Sequence, residues 1–156
     1  MIFQHTLEQV LDGTKTQTRR IVKEWDYFVN YASSNCNLTG GYTAVFNSNK
    51  RLRFRSYATY SVQGGRGQKG VARIEITSIA YKNVRSFTDE EIKAEGFASR
   101  KEFFDVWCSM HDPKIATLPN RDVLMETAPQ YFYQAWVINF NLLQGYPDLL
   151  KVISHA

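Results

Sequence analysis

A short polar segment and one later carboxylate are the residues whose types and spacing suit chemistry. Residues 13–20 read Gly-Thr-Lys-Thr-Gln-Thr-Arg-Arg, with three cations, three hydroxyls and no acid. Side chains alternate along a strand, so Lys15 and Thr18 can meet only if Lys15 still belongs to the turn after Gly13. Glu75 is the first acid after a long cationic span. A carboxylate in a cationic cleft stays ionised, and it can shuttle protons or bind the amino group of a base.

Both features also have a purely structural interpretation. Segment 13–20 fits a solvated edge strand, whose charges oppose edge-to-edge aggregation. Glu75 fits an ordinary surface ion pair with Arg73 or Arg19. The residue pattern alone leaves both interpretations open.

The polar segment lies between a predicted helix and a predicted strand. Thr6 and Gln9 match a capping box, and apolar residues at helical spacing predict a helix over residues 6–12. Gly13 suits the left-handed position that follows a helix. The β-branched residues after it favour a strand from about Thr16 to Val22.

Charge is distributed unevenly along the chain. The net charge is +4, and no Asp or Glu occurs between Tyr27 and Ile74. Cations in such a span attract polyanions, and exposed aromatic rings stack on bases. The alternative is that the aromatics are core and the cations are ordinary surface. The predicted nucleic-acid-binding residues are Arg19, Arg20, Arg51, Arg53, Tyr60, Arg66, Lys69 and Arg73.

The remaining pattern predicts a single α+β domain over residues 1–156. Strands are expected near residues 1–4, 42–46, 52–54, 57–62 and 71–84, with a glycine-rich hairpin tip at 64–70. Two helices start at the capping boxes of Thr88 and Ser99, and the second buries a stripe that includes Met110. Alternating apolar residues from Trp136 to Leu142 predict a closing strand. This order of elements favours a small, mostly antiparallel β-barrel with flanking helices.

Composition narrows the class of protein. No apolar run approaches membrane-spanning length and no signal-peptide pattern precedes the first element, so we expect a cytoplasmic protein. The two cysteines and three histidines lack metal-ligand spacing, so no metal and no cofactor are predicted. A monomer is favoured.

The motifs resemble those of a known family. Gly-x-Lys-Thr-x-Thr-x-Arg after an N-terminal helix, an Ile-Glu-Ile-Thr strand, and Thr-x-Glu-Glu and Glu-Gly-Phe-x-Ser helices are similar to the ASCH domain, a PUA-like β-barrel superfamily associated with RNA. The resemblance covers residues 1–22, roughly 57–111 and the strand at 135–140. Two segments depart from it as insertions, near 23–56 and 112–133, and Arg19-Arg20 replaces an apolar residue followed by one arginine.

The resemblance implies a function. Small bacterial members hydrolyse N(4)-acetylcytidine, and their catalytic set falls on Lys15, Thr18 and Glu75 as base, nucleophile and proton shuttle. A hydroxyl next to a base is the usual activated nucleophile. We therefore expect a protein that binds RNA or a modified nucleoside and hydrolyses this amide. The alternatives are an ASCH-type ribonuclease and a non-catalytic RNA-binding module.

Overall fold

The computed structural model describes residues 1–31, 41–111 and 134–145, and these ranges contain short helices and antiparallel strands. None of the helices in these ranges is long and apolar enough to cross a membrane. The helices are α1 (Leu7–Leu11), α2 (Asp89–Ala94) and α3 (Arg100–His111), with a 3₁₀ turn at Val84–Ser86. The strands are β1 (Gln17–Ile21), β2 (Tyr27–Tyr31), β3 (Tyr42–Phe46), β4 (Leu52–Arg55), β5 (Thr59–Val62), β6 (Ala72–Asn83) and β7 (Gln134–Gly145).

Two antiparallel sheets organise the described residues. One has the strand order β1-β7-β6-β5, and its centre is the ladder between the two twelve-residue strands β6 and β7. The other has the order β2-β3-β4. Alternation along β7 divides the core, because successive side chains point to opposite faces. Val137 packs with Phe103 of α3 on one face, and Ile138 packs with Val45 of β3 on the other.

A buried carboxylate ties the smaller sheet to the larger one. Asp26 precedes β2, and its side chain is fully removed from water. Its Oδ2 atom accepts hydrogen bonds from the Arg53 guanidinium and from the indole Nε1 of Trp136, the latter at 3.1 Å. The backbone N–H of Lys23 donates to the same oxygen at 2.9 Å. Asp26 therefore links β4 to β7 through one atom.

The mixed α+β class with mostly antiparallel strands is confirmed. The helix before Gly13, the strand after it, the long strand at 72–83 and the closing strand all form. The capping box at Thr88 is complete, with Glu91 as its partner. Within the described ranges the strands form two sheets, and the barrel stays a prediction.

Several local predictions are wrong. Residues 1–4 contribute a single bridge between Ile2 and Gln63 instead of a strand. Thr6 makes no side-chain capping bond. Met110 is 53% exposed because the buried stripe of α3 runs through Phe103, Phe104, Trp107 and Cys108 and leaves position 110 to one side. The 112–133 insertion and the end of the chain after 145 lie outside the described residues.

Candidate functional site

The turn after α1 delivers Lys15 to the end of α2. Gly13 adopts φ 82°, a left-handed value that lets the chain reverse there. The Lys15 N–H then donates to the Gln9 carbonyl at 2.8 Å, and the Thr16 N–H donates to the Ala94 carbonyl at 3.0 Å. A cation is favourable at this position because the last carbonyls of a helix carry partial negative charge.

Lys15 ends in a buried cluster with Glu95. Its Nζ atom donates to the Glu95 backbone carbonyl and lies 3.2 Å from the Glu95 carboxylate oxygen Oε1. Gly96 makes this approach possible. Its φ is +90°, and a Cβ atom there would lie 3.2 Å from the Cβ atom of Gln9 and 3.4 Å from that of Lys15. Only glycine adopts this positive φ and leaves room for both side chains without strain.

Arg19 binds the same carboxylate. Its guanidinium Nη1 lies 2.8 Å from Glu95 Oε2, and its backbone N–H donates to Glu95 Oε1 at 3.1 Å. The guanidinium carbon lies 3.7 Å from the centre of the Phe87 ring, a cation–π contact. The Arg19 side chain is fully buried. The Glu95 carboxylate therefore contacts two buried cations, and Arg19 has a second acid, Glu91, at 3.9 Å.

Burial sets the protonation behaviour of Lys15. Removal from water lowers its pKa from 10.5 to about 8, because the charged ammonium loses its hydration. Glu95 opposes this shift by stabilising the ammonium, and the positive charges of Arg20 and Arg19 add to it. A lysine with a pKa of about 8 is partly neutral near physiological pH and can act as a base.

A cavity of about 120 Å³ lies against this cluster. Thr18, Arg20 and Glu95 contribute polar groups to it, and aromatic side chains line much of the rest. Lys15 lies behind Glu95, with its Nζ atom 6.0 Å from the centre of the Phe97 ring that faces the cavity. The aromatic lining residues are Phe3, Phe97, Phe103 and Trp107.

The arginines of the cavity hold unused donors. Arg20 donates from Nη2 to the Ile2 carbonyl at 2.7 Å, but its buried Nε atom has no hydrogen-bond partner among the described residues. The same is true of Nε in Arg19. Buried polar atoms are normally satisfied, so two unpartnered donors within one cluster are unusual.

Glu75 does not join this cluster. It lies on β6 opposite Asn141 of β7, whereas Thr18 lies opposite Ile138. Positions 138 and 141 differ by three, so their side chains point to opposite faces of the ladder. Glu75 is therefore on the other face from Thr18, and it does not line the cavity. By the same alternation Arg19, opposite Val137, lies on the face of Glu75, so alternation alone does not separate Glu75 from the cluster, and its catalytic role stays a prediction.

The predicted binding residues of the basic span fall into two groups. Arg53 is committed to the Asp26 ion pair, and the Tyr60 hydroxyl accepts from the Arg55 N–H at 3.0 Å. Both are therefore partly structural. The others are exposed at the hairpins, and of these Arg73 donates to Thr59 Oγ1 at 2.9 Å. The exposed group comprises Arg51, Arg66, Lys69 and Arg73.

Glu95 is the site residue that the sequence prediction missed. Its motif, Glu95-Gly96-Phe97, contributes to the family resemblance, but that resemblance implies no role for Glu95. A carboxylate at the C-terminus of a helix is electrostatically unfavourable, because the helix dipole is negative there. An acid directly before the C′ glycine therefore predicts a cationic partner from another part of the chain. This pattern is the sequence signal that identifies Glu95.

These features define an α+β protein with a buried lysine–carboxylate–arginine cluster beside an aromatic cavity. No protein-family model matches the sequence, and no curated protein matches it. Its structure is similar to the crystal structure of protein EF3133 from Enterococcus faecalis V583, of the family DUF984, with a TM-score of 0.50. That likeness covers 92% of this chain and 72% of the other at 13% sequence identity. At this identity the likeness concerns the fold alone.

Proposed function

We propose that this chain is an ASCH-like protein that binds RNA or a modified nucleoside in the cavity beside Lys15 and hydrolyses the amide of N(4)-acetylcytidine. The single observation that carries the proposal is the buried contact between Lys15 and Glu95 against a cavity that Thr18 lines. The likeness to the DUF984 structure supports the ASCH-like, PUA-like barrel assignment at the level of fold.

The cavity chemistry suits a nucleobase. Aromatic walls offer stacking surfaces, and the guanidinium groups of Arg19 and Arg20 in the cavity lining offer donors to the carbonyl oxygen of a pyrimidine ring.

The proposed reaction uses Thr18 as nucleophile. Its Oγ forms a bond to the acetyl carbon while neutral Lys15 accepts the hydroxyl proton. The bond between that carbon and N4 breaks, and N4 takes the proton as cytidine leaves. Water then hydrolyses the threonine ester and releases acetate. Glu95, in place of Glu75, holds Lys15 and relays the proton, because it is the carboxylate in contact with the Lys15 ammonium.

A side-by-side turnover assay tests the proposal. The parent chain is given acetylcytidine and, separately, end-labelled RNA, and cytidine release and RNA cleavage are followed by chromatography. Cytidine release by the parent, its loss in Lys15→Met and its retention in Lys101→Met are expected. Lys101 is a suitable control because its side chain is 66% exposed on α3.

Two results would redirect the proposal. Cleavage of RNA without cytidine release would assign a ribonuclease. RNA binding with neither reaction would assign a non-catalytic binding module.

A further inference from the structure

One face of the three-stranded sheet carries aromatic rings that the core does not use. Tyr27 lies opposite Phe46, and Tyr31 lies opposite Tyr42, so all four rings project from the same face. Arg55 lies opposite Ala44 and joins them on that face. We call these five residues the aromatic sheet face: Tyr27, Tyr31, Tyr42, Phe46 and Arg55.

The opposite face of the same sheet carries the contacts with the larger sheet. There, Phe28 stacks on Trp136 with ring centres 5.8 Å apart, and Val45 is completely buried in the core. The four rings of the aromatic sheet face are therefore not explained by packing against the larger sheet. Aromatic groups displayed on a surface usually mark an interaction site.

The rings form two cross-strand stacks with open edges. The ring centres of Tyr27 and Phe46 are 5.4 Å apart at 16°, and those of Tyr31 and Tyr42 are 4.5 Å apart at 25°. Tyr27 and Tyr31 nevertheless keep exposures of 42% and 41%. The two stacks are four residues apart along β2, or roughly 13 Å at the usual rise per residue. A flexible polymer with repeated planar groups can engage both stacks, whereas a single small molecule cannot.

The positive charge of the aromatic sheet face indicates which class of polymer it can bind. Arg55 is exposed, and its guanidinium lies 5.5 Å from the centre of the Tyr42 ring. The sequence holds no acid from residue 27 to residue 74. The nearest preceding acid, Asp26, is buried and paired with Arg53. The face is thus aromatic and cationic, which complements a polyanion with stacking bases.

We infer that the aromatic sheet face binds a single-stranded stretch of RNA, with bases stacked on its rings and the phosphate backbone near Arg55. Several RNA-binding modules use aromatic side chains on a sheet surface in this way. The inference rests on the RNA-binding half of the proposed function. It gives the cavity a polymeric substrate in which the modified nucleoside is one residue of a longer strand.

Fluorescence anisotropy with a labelled 12-mer of oligouridine tests the inference. The double variant Tyr27→Leu/Tyr31→Leu keeps apolar side chains on β2 but removes two stacking rings, so Kd should rise roughly tenfold or more. Tyr57→Leu is the matched control, because Tyr57 is 63% exposed and lies outside the face. Its Kd should stay within about twofold of the parent, as is usual for surface substitutions.

Arg55 is tested through salt dependence. Removal of one phosphate contact lowers the slope of log K against log salt by about 0.7 for a single strand. Arg55→Gln should show this change, and Lys101→Gln should not.

A second measurement uses the unmodified chain and so does not depend on folding of a variant. The chain is irradiated with a 4-thiouridine 12-mer and digested with trypsin. Peptide 24–50 contains all four rings and no internal Lys or Arg, so the crosslinks should map to it. Crosslinks found only elsewhere would overturn the inference.

Three other results also count against it. A deoxythymidine 12-mer that binds as tightly as the RNA would overturn the assignment to RNA. A concentration-dependent dimer that the Tyr27→Leu/Tyr31→Leu variant dissociates would assign the face to a second copy of this chain. Acetylcytidine turnover by a parent that does not bind the 12-mer would refute this inference alone, whereas RNA binding without turnover would refute only the proposed hydrolysis.

Discussion

Lys15 and Glu95, separated by 80 residues in the sequence, form a buried ion pair in which Nζ lies 3.2 Å from Oε1. Their side chains are 1% and 7% exposed. Arg19 shares the same carboxylate at 2.8 Å. Because breaking a buried pair leaves an uncompensated charge, a change at any of the three residues affects the other two.

Thr18 variants separate catalysis from binding. Thr18→Ala should lower acetylcytidine turnover roughly 100-fold or more, as expected for deletion of a catalytic group. Thr18→Ser keeps the hydroxyl and should retain much of the rate. Nucleoside binding, measured by calorimetry, should survive both changes, since one hydroxyl contributes about 1 kcal/mol to a typical hydrogen bond. Unchanged turnover in Thr18→Ala would remove Thr18 from the nucleophile role.

The rate should depend on pH through Lys15. A base must be neutral to accept a proton, and burial places the pKa of Lys15 at about 8. At pH values below this pKa, kcat/KM should increase about tenfold for each unit by which the pH is raised, and above the pKa it should level off. Initial rates from pH 6 to pH 9.5 provide the measurement. A profile that is flat between pH 6 and pH 8 would contradict the assignment of Lys15 as base.

The stability of the folded protein should also depend on pH through Lys15, in a direction that its lowered pKa fixes. The folded-state pKa of Lys15 lies below the ordinary value of 10.5, so between about pH 8 and pH 10.5 the unfolded chain binds more protons. The free energy of unfolding should therefore increase as pH rises through this window, by on the order of 3 kcal/mol from Lys15 alone. Below the window the buried ammonium is charged in the folded chain, and its full cost of burial lowers the stability. Urea titrations of the parent and of Lys15→Met should diverge over this window. Parallel curves would argue against the lowered pKa.

Gly96→Ala should destabilise the protein more than a glycine-to-alanine change at another left-handed position. The left-handed backbone costs alanine about 1–2 kcal/mol, and the added methyl crowds Gln9 and Lys15. Gly67→Ala is the matched control, since Gly67 has φ +76° but nothing within 4 Å of its Cβ position. The difference in unfolding free energy between the two variants measures the crowding. Equal losses would show that the chain relaxes around position 96.

Asp26→Asn should loosen the smaller sheet. Asparagine keeps the shape but leaves Arg53 without its buried counter-charge, and breaking such pairs costs about 3–5 kcal/mol. Asp89→Asn is the control, because the Asp89 side chain is 77% exposed beside Arg100. Thermal unfolding compares the two variants. A similar midpoint for both would mean that Asp26 does not link the sheets energetically.

Periodicity was sufficient to predict the long elements. The alternation in β6 and β7 and the capping box of α2 are local signals, and each describes its own segment correctly. β2 escaped prediction because Tyr-Phe-Val-Asn-Tyr presents apolar groups on both faces and shows no alternation. Arg53 and Arg55 alternate in sequence, but the register shift between β3 and β4 leaves Arg53 without a cross-strand partner, and this irregularity has no signal in the sequence pattern.

The site was only half predictable for the same reason. Lys15, Thr18 and Arg19 lie in one short segment, so a motif can identify them. Their carboxylate comes from the end of α2, and the contact depends on how that helix packs on the turn after α1. Glu75 lies on β6 opposite Asn141 of β7, and this position depends on the register of the ladder, which the pattern of one strand does not reveal.

Glu95 also has a consequence for solubility. Among the described residues β1 is one of the two edge strands of the larger sheet, and an open edge invites pairing with another chain. The Arg19 N–H on that edge is capped by the Glu95 carboxylate, while the N–H groups of Lys15 and Thr16 are taken by the Gln9 and Ala94 carbonyls. The group proposed to relay a proton thus also keeps the edge closed to intermolecular strand addition. Variants at position 95 should therefore aggregate more readily as well as lose turnover.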